Sequence, residues 1–514
     1  MLATEGTYPF YKGGVSTWCH NLTQKLSEID FSIFAVTTNP FNHSCYELSG
    51  NVRDVVKAPL WGTMQPGDYS WHQRVSDVLR GRMDSTHVNL RRDFVPQWDC
   101  LMDKIFTGSL GNQNDLSGVV SALIEMHILF LTKYNYQKVW ACPLVWGSFR
   151  YFADQICLGR PEIACNPTVA EVKQAYRLLY HFLSVLCFPI PGADLSHSSA
   201  AGFCGLPCVI AKVDMRRPFL LTEHGVYLRE QYLNLRRDVK SPFVRWFMYR
   251  VFTLVAQLNY TYADQVSPVC AFNARWEREL GTDPAKIKVI YNGCDPKRFH
   301  PRPAQPKTRP IVSTVGLIYE LKGQLDLIEA ANEVRKTVPD VEFRIYGVAN
   351  DEKYYAKCLE KVKQYQLENT VCFLGSTNDP SQVYSHADVL TVPSISEGFP
   401  YVVVEAMLCG AAIVATDVGG VREALGNSGV FVRSRSPHEL AQAITMLLES
   451  PEERRRLGER AMARALSKFT EELFLENYRS AYDSLVGLIR RRAGWTALQN
   501  LQAAPAPRPT CWIE

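Results

Sequence analysis

Residues 388–407 read DVLTVPSISEGFPYVVVEAM, and this stretch decides the fold. The run DVLTVPS is short, continuous and apolar, as in a strand covered on both faces. It ends just before Glu397, and helical residues take over near Pro400, whose fixed φ suits the start of a helix. Outward from it the same alternation recurs. Strand-like runs stand at IVSTVG (311–316), VEFRIYG (341–347), VCFLG (371–375), AAIVAT (411–416) and GVFV (429–432), with helical patterns such as Gln324 to Thr337 and Lys353 to Tyr365 between them. Continuous apolar strands separated by helices predict a doubly wound parallel sheet over about 301–469.

The first half is less regular. Gly13-Gly14 precedes a stripe of Val15, Trp18, Leu22 and Leu26, spaced for one apolar helix face, and Phe31 to Thr37 reads as a strand. Strands are expected again at ADLSHS (193–198), PCVIAK (207–212), PFLLTEHG (218–225) and KIKVIYNG (286–293). Between them, 61–160 is aromatic-rich and strand-poor, the pattern of a helical insertion. Residues 1–300 are thus expected to form a first α/β domain. The Pro-rich stretch PRPAQPKTRP (301–310) reads as a stiff linker to the second. A helix over 470–490 is expected to cross back to the first domain, and 491–514 reads as a disordered tail.

Composition bounds the function. A chain of 514 residues exceeds one core. A net charge of +4, from 56 basic and 52 acidic residues, is too small for a dedicated nucleic-acid binder. The 15 cysteines are scattered without a C-x-x-C pair, which favours buried small hydrophobes over a metal site or a disulfide framework. MLATEGTYPF has no signal-peptide pattern, and Arg245, Arg250 and Gln257 interrupt the apolar stretch Phe243 to Ala263, so that stretch reads as a buried or amphipathic helix. A cytoplasmic location is expected, with the N-x-S/T triplets at Asn21, Asn42 and Asn259 as chance matches. No two aspartates flank a single residue and no G-x-x-x-x-G-K-[ST] occurs, so neither a D-x-D metal site nor a P-loop is expected.

The chemistry concentrates at strand ends. Glu397 falls on a strand-to-helix loop and Glu405 inside the following helix, where carboxylates can accept hydrogen bonds from sugar or ribose hydroxyls. The amides around Gly398, Phe399, Pro400 and Tyr401 open a helix, whose N-terminus favours a diphosphate. Gly13 and Gly14 let backbone approach a ligand, although a Gly-Gly turn before a helix is common. His224 ends an apolar strand, and Lys322 supplies a point charge for a departing diphosphate.

These pieces together resemble glycosyltransferase family 4. The Glu397…Glu405 spacing, the Gly13-Gly14-Val15 loop, His224-Gly225, VIYNGCD (289–295), VGLIYELKG (315–323) and DVGGVREAL (417–425) follow that family's order. The resemblance implies a GT-B fold of two Rossmann-like domains and a retaining, metal-independent transfer from a nucleotide sugar, a UDP-sugar, to a hydroxyl or glycan acceptor. No further cofactor is implied. Glu397 would contact the donor sugar, Glu405 the ribose, and His224, Lys322 and Glu397 would form the catalytic set. EGTYPFYKGGVSTW (5–18), ADLSHSSAAGF (193–203) and RPFLLTEHGVYLRE (217–230) resemble a narrower branch, the bacterial glycosyltransferases of Pel exopolysaccharide synthesis, over roughly 3–485. Association with a membrane complex follows by analogy alone. One position departs: Leu317 stands where the family carries a phosphate-binding arginine. Either Arg422 or Lys12 compensates, or the chain is a catalytically silent scaffold.

Overall fold

The computed structural model describes residues 1–502 apart from 67–73, 109–115, 160–165 and 304–305, with 488–502 by backbone alone. Two six-stranded parallel sheets organise the chain. The first contains β1 (Leu2–Glu5), β2 (Phe31–Thr37), β3 (Val52–Pro59), β4 (Ser196–Ser198), β5 (Phe219–Glu223) and β6 (Gln265–Pro268), in the order β3-β2-β1-β4-β5-β6. The second contains β7 (Ile311–Val315), β8 (Glu342–Tyr346), β9 (Val371–Gly375), β10 (Val389–Val392), β11 (Ile413–Thr416) and β12 (Val430–Val432), in the order β12-β11-β10-β7-β8-β9. Each sheet starts in its middle, runs outward, then returns to fill the other side. The reversals fall between β1 and β4 and between β7 and β10, and ligands of such sheets bind at the carboxyl ends beside the reversal. The loops bearing Gly13, Lys322 and Glu397 follow β1, β7 and β10.

The strands expected in the second half all form: the central β10 and β11 are buried at all four positions, while β8 alternates and the edge strand β9 opens to solvent at its end. Two first-half expectations fail. PCVIAK lies in the helix Leu206–Val213, not a strand: an apolar run of this length suits a buried helix equally, and Pro207 fits a helix's first turn. KIKVIYNG forms no named strand and touches the sheet through a single bridge, Val266 to Ile287. The sheet's edge is taken instead by β6, which is only four residues long and follows the helix Pro242–Tyr262 directly.

The helices of 61–160 do not stand apart. Phe94, Trp98, Phe106 and Phe149 share one core with Ala3, Phe34 and Val36 of the sheet. That core also takes in Val172, Ala175 and Leu179 of the helix Val169–Leu183, which starts with a reciprocal Thr168–Glu171 capping box. Asn259 is fully buried with its amide bonded to the Gly202 and Val255 carbonyls, so its N-x-S/T triplet cannot take a glycan in the folded chain.

The last helix, Glu471–Gln502, continues into the stretch expected to be a disordered tail; 503–514 lies outside the described residues. Its Phe474, Tyr478 and Tyr482 enter the first lobe's core beside Trp18, Leu22, Ile33 and Leu220. The Tyr478 hydroxyl meets Thr222 Oγ1 at 3.1 Å and that of Tyr482 meets His197 Nδ1 at 2.8 Å. The chain therefore straps the two lobes together. Truncating a fully buried aromatic costs about 3–5 kcal/mol, and Tyr478→Ala should lose that much in a urea titration. A loss below about 1 kcal/mol would mean the strap is not docked.

Candidate active site

The site is assembled at the reversal of the second sheet. After β7 the chain makes a short turn, Glu320–Lys322, and Gly323, at φ 70°, caps the following helix Gln324–Thr337. A Cβ at Gly323 would sit 2.0 Å from the Pro393 carbonyl oxygen, so only glycine lets this turn lie against the end of β10. That contact brings Lys322 Nζ within 2.6 Å of Glu397 Oε1, the same oxygen that accepts from Ser394 Oγ at 2.6 Å. Burial alone would lower the Lys322 pKa; the facing Glu397 carboxylate outweighs it and holds the ammonium above its usual value. Tyr319 joins the cluster, its phenol pushed up by burial.

The first lobe closes on this cluster. A Cβ at Gly398 would lie 2.1 Å from the His224 carbonyl oxygen, so the lobes touch backbone to backbone. Gly14 faces Tyr401, with a 3.7 Å contact to its ring for an added Cβ, and a Cβ at Gly13 would meet nothing within 4 Å. Protein packing therefore does not demand glycine at either position. The His224 ring packs edge-on to Trp18 at 4.7 Å, and its Nε2 is buried without a hydrogen-bond partner. Burial lowers its pKa to about 3, so it is a neutral imidazole at physiological pH. It can donate or accept a hydrogen bond there but brings no positive charge.

Three helices present N-termini without a side-chain cap: Gly14–Lys25, Gln324–Thr337 and Tyr401–Leu408, capped by the backbone of Gly13, Gly323 and Pro400. Uncapped amides favour an anion, although in the helix Gln324–Thr337 the Leu325 amide already donates to the Tyr354 hydroxyl at 3.1 Å. Phe399 is a packing residue, its ring 5.4 Å from Tyr291 and 5.3 Å from Phe469, while its carbonyl accepts from Asn292 Nδ2 at 3.3 Å. Glu405 stands apart from the Lys322–Glu397 pair. It accepts from the Tyr384 hydroxyl at 2.6 Å, and burial raises its pKa. Arg422 does not serve as a spare phosphate cation: Asp417 holds its guanidinium in two bonds of 2.8 and 2.7 Å, over the Phe431 ring. Leu317 is 42% exposed at the loop.

Sequence reading did not single out Ser394, Arg229 or the acids Glu223 and Glu277, and it gave Trp18 only a packing role on its helix. Glu223 and Glu277 are fully buried. Both oxygens of Glu277 lack an N–H or O–H donor, and Glu223 accepts from the Tyr260 hydroxyl at 2.8 Å and the Tyr227 amide at 3.0 Å. Burial raises both pKa values, and the Glu223 charge raises Glu277 further. The pair thus keeps a proton directly behind His224. The only signal in the sequence was the unusual acid at the end of an apolar strand.

Comparison with known proteins fits this geometry. A family model described as a domain of unknown function, DUF3492, matches residues 1–285, more than half of the chain. The chain belongs to the DUF3492 family. Behind the DUF3492 lobe, residues 295–464 match the model for glycosyl transferases group 1. An N,N'-diacetylbacillosaminyl-diphospho-undecaprenol alpha-1,3-N-acetylgalactosaminyltransferase of Campylobacter jejuni is 28% identical, over 45% of this chain and 63% of that protein. A D-inositol 3-phosphate glycosyltransferase of Nocardia farcinica is 33% identical, over 43% of this chain and 53% of that protein. The chain thus spans only about half to two thirds of these relatives' lengths. Among solved structures, sucrose-phosphate synthase from Thermosynechococcus elongatus superposes with a TM-score of 0.58 at 17% identity, covering 95% of this chain and 99% of that one. A glycosyltransferase from Rickettsia africae gives 0.55 at 14%, covering 94% and 98%. The DUF3492 chain therefore has the two-lobed GT-B fold.

Two outcomes test the site's construction. Gly398→Ala should drive the lobes apart, seen as a larger radius of gyration in solution scattering with the thermal transition of each lobe retained. The acid pair gives a pH signature. Its folded pKa values lie above the unfolded ones, so the fold holds protons that the unfolded chain releases. Its stability is full below about pH 4.3, the unfolded carboxyl value, and falls as pH rises. Glu277→Gln cannot release that proton, so its melting temperature should gain on the wild type steadily from pH 5 to pH 8. A constant difference would remove the proton-sharing pair.

Proposed function

We propose that this chain is a retaining, metal-independent glycosyltransferase that moves a sugar from a nucleotide-sugar donor, a UDP-sugar, to a hydroxyl acceptor. The supporting observation is the meeting of Lys322 and Glu397 with uncapped helix N-termini, across a backbone contact from His224. A diphosphate needs amides and a cation, and a sugar needs carboxylate and imidazole partners; Lys322 meets Glu397 in the second lobe, and the His224 backbone meets Gly398, the residue after Glu397.

In this reading Lys322 and the helix N-terminus at Tyr401 stabilise the charge that develops as the nucleoside diphosphate leaves. Glu397 orients the sugar hydroxyls, and Glu405 takes the ribose from the other side of the same helix. The neutral His224 hydrogen-bonds the sugar. The acceptor oxygen attacks from the face the diphosphate vacates, and the leaving phosphate takes its proton, so no protein base is required. Catalysis is then positioning and preorganised charge. We assign acceptor choice to the DUF3492 lobe, which faces the donor site from the other side of the cleft. A role in exopolysaccharide synthesis rests on the likeness of 5–18, 193–203 and 217–230 to the Pel branch. Among the described residues no helix is long and apolar enough to cross a membrane, and we place the reaction in the cytoplasm, on a membrane-complex surface by analogy.

Lys322→Ala and Glu405→Ala should each cut donor-dependent transfer by about a hundredfold or more, the scale for removing one preorganised stabiliser, in variants that still fold at the assay temperature. The assay is mass-spectrometric detection of nucleotide-sugar turnover. Leu317 supports a second reading, a donor-binding scaffold without turnover. UDP at a hundred times its Kd adds about 2.7 kcal/mol of stability, and such stabilisation with no turnover of any UDP- or GDP-sugar would favour the scaffold.

A further inference from the structure

The loop after β7 offers a diphosphate one cation, Lys322, and that cation is shared with a carboxylate. Lys322 is already bonded to Glu397 at 2.6 Å, so the pair's net charge is zero. Leu317 brings none. Arg422 is held by Asp417, and Lys12 stays exposed on the Gly13 turn without a hydrogen bond to the second lobe among the described residues. A nucleoside diphosphate sugar carries two negative charges into this place.

The helix Tyr227–Asp238 of the first lobe supplies what is missing. It begins three residues after His224 and lies against the second lobe's rim. At its start, Arg229 Nη1 reaches across to Ser396 Oγ at 3.2 Å, one residue before Glu397. Glu230 beside it acts electrostatically on Tyr319, and Arg237 at the far end acts on Glu320, so the helix runs along the 316–323 loop that carries Leu317. Arg237, at the far end, is bonded to Asp238 and Asn234, and Arg236 to the Tyr232 hydroxyl of its own helix, so neither has a hydrogen bond to the second lobe among the described residues. Arg229 spends its bond on a neutral hydroxyl and remains exposed. A guanidinium matches a phosphate in two parallel bonds, which a serine hydroxyl cannot offer.

We infer that Arg229 is the diphosphate-binding cation of this chain, delivered by the opposite lobe in place of the arginine lost at position 317. This rests on the donor-site reading above. It makes phosphate binding and lobe closure one event: the site is complete only when the helix Tyr227–Asp238 faces the Glu397 loop. Glu230, whose carboxyl is packed over Gly225 within 2.0 Å of where a Cβ would stand, fixes the base of that helix beside His224.

Calorimetric titration of the full chain with UDP, GDP and uridine separates the outcomes. The chosen probe is whichever diphosphate the wild type binds. Arg229→Ala should weaken that diphosphate at least tenfold, about 1.4 kcal/mol, leave uridine affinity unchanged and keep the unliganded melting temperature. Arg229→Lys should recover part of the loss. Leu317→Arg in the Arg229→Ala background should restore diphosphate affinity, because it returns the charge from the other lobe. Unchanged diphosphate binding in Arg229→Ala, an equal loss of uridine, or no gain from Leu317→Arg overturns the inference while leaving the donor site standing. A wild type that binds none of the three overturns both.

Discussion

The structure hangs on one close approach, Gly398 against the carbonyl of His224. No other residue permits it, since a methyl group at 398 would overlap the carbonyl oxygen. Around this point the second lobe's loops are fitted by the same means. Gly420 donates its amide to the Gly398 carbonyl at 2.7 Å, and Gly419, at φ 56°, leaves room for the Glu397 carbonyl. The glycines serve less as flexible joints than as thin walls that let three loops and two lobes converge.

Convergence of this kind concentrates backbone charge. Helices starting at Gly14 and Tyr401 lack side-chain caps, as do helices away from the site such as Val95–Phe106 and Leu206–Val213; what sets these two apart is that both start beside the contact between the lobes. An uncapped end leaves amides unsatisfied, and in a stable fold such amides face water or a ligand. Lys322 adds the full charge, and Glu397 and Ser394 hold it in place.

Behind the site the chemistry is inverted. Glu223 and Glu277 keep a proton between them in a dry interior, and His224 next to them is kept from taking one. Burial acts on both in the direction of neutrality. β5 thus ends at the buried acid Glu223, and the neutral His224 imidazole that follows it packs on Trp18. The terminal strap through Tyr478 and Tyr482 packs on the same strand, via Thr222, and on its neighbour, via His197.

The sequence by itself determined the doubly wound second lobe, because its strands are apolar on both faces and its loops carry Glu397, Lys322 and the glycines at strand ends. It also placed His224 at a strand end, while the family resemblance, not the residues alone, marked Leu317 as standing where an arginine is expected. Periodicity could not separate PCVIAK as helix from strand, since a short apolar run suits either when buried, and it missed β3 and β6, which are an edge strand of mixed polarity and a four-residue strand. Which residues share a space came from the folded chain: Lys322 bonds Glu397 while Glu405 turns to Tyr384, Arg422 is occupied, Arg229 crosses from the other lobe, and Glu223 and Glu277 are both fully buried. Those facts depend on distances between segments far apart in the chain, and local sequence carries no record of them.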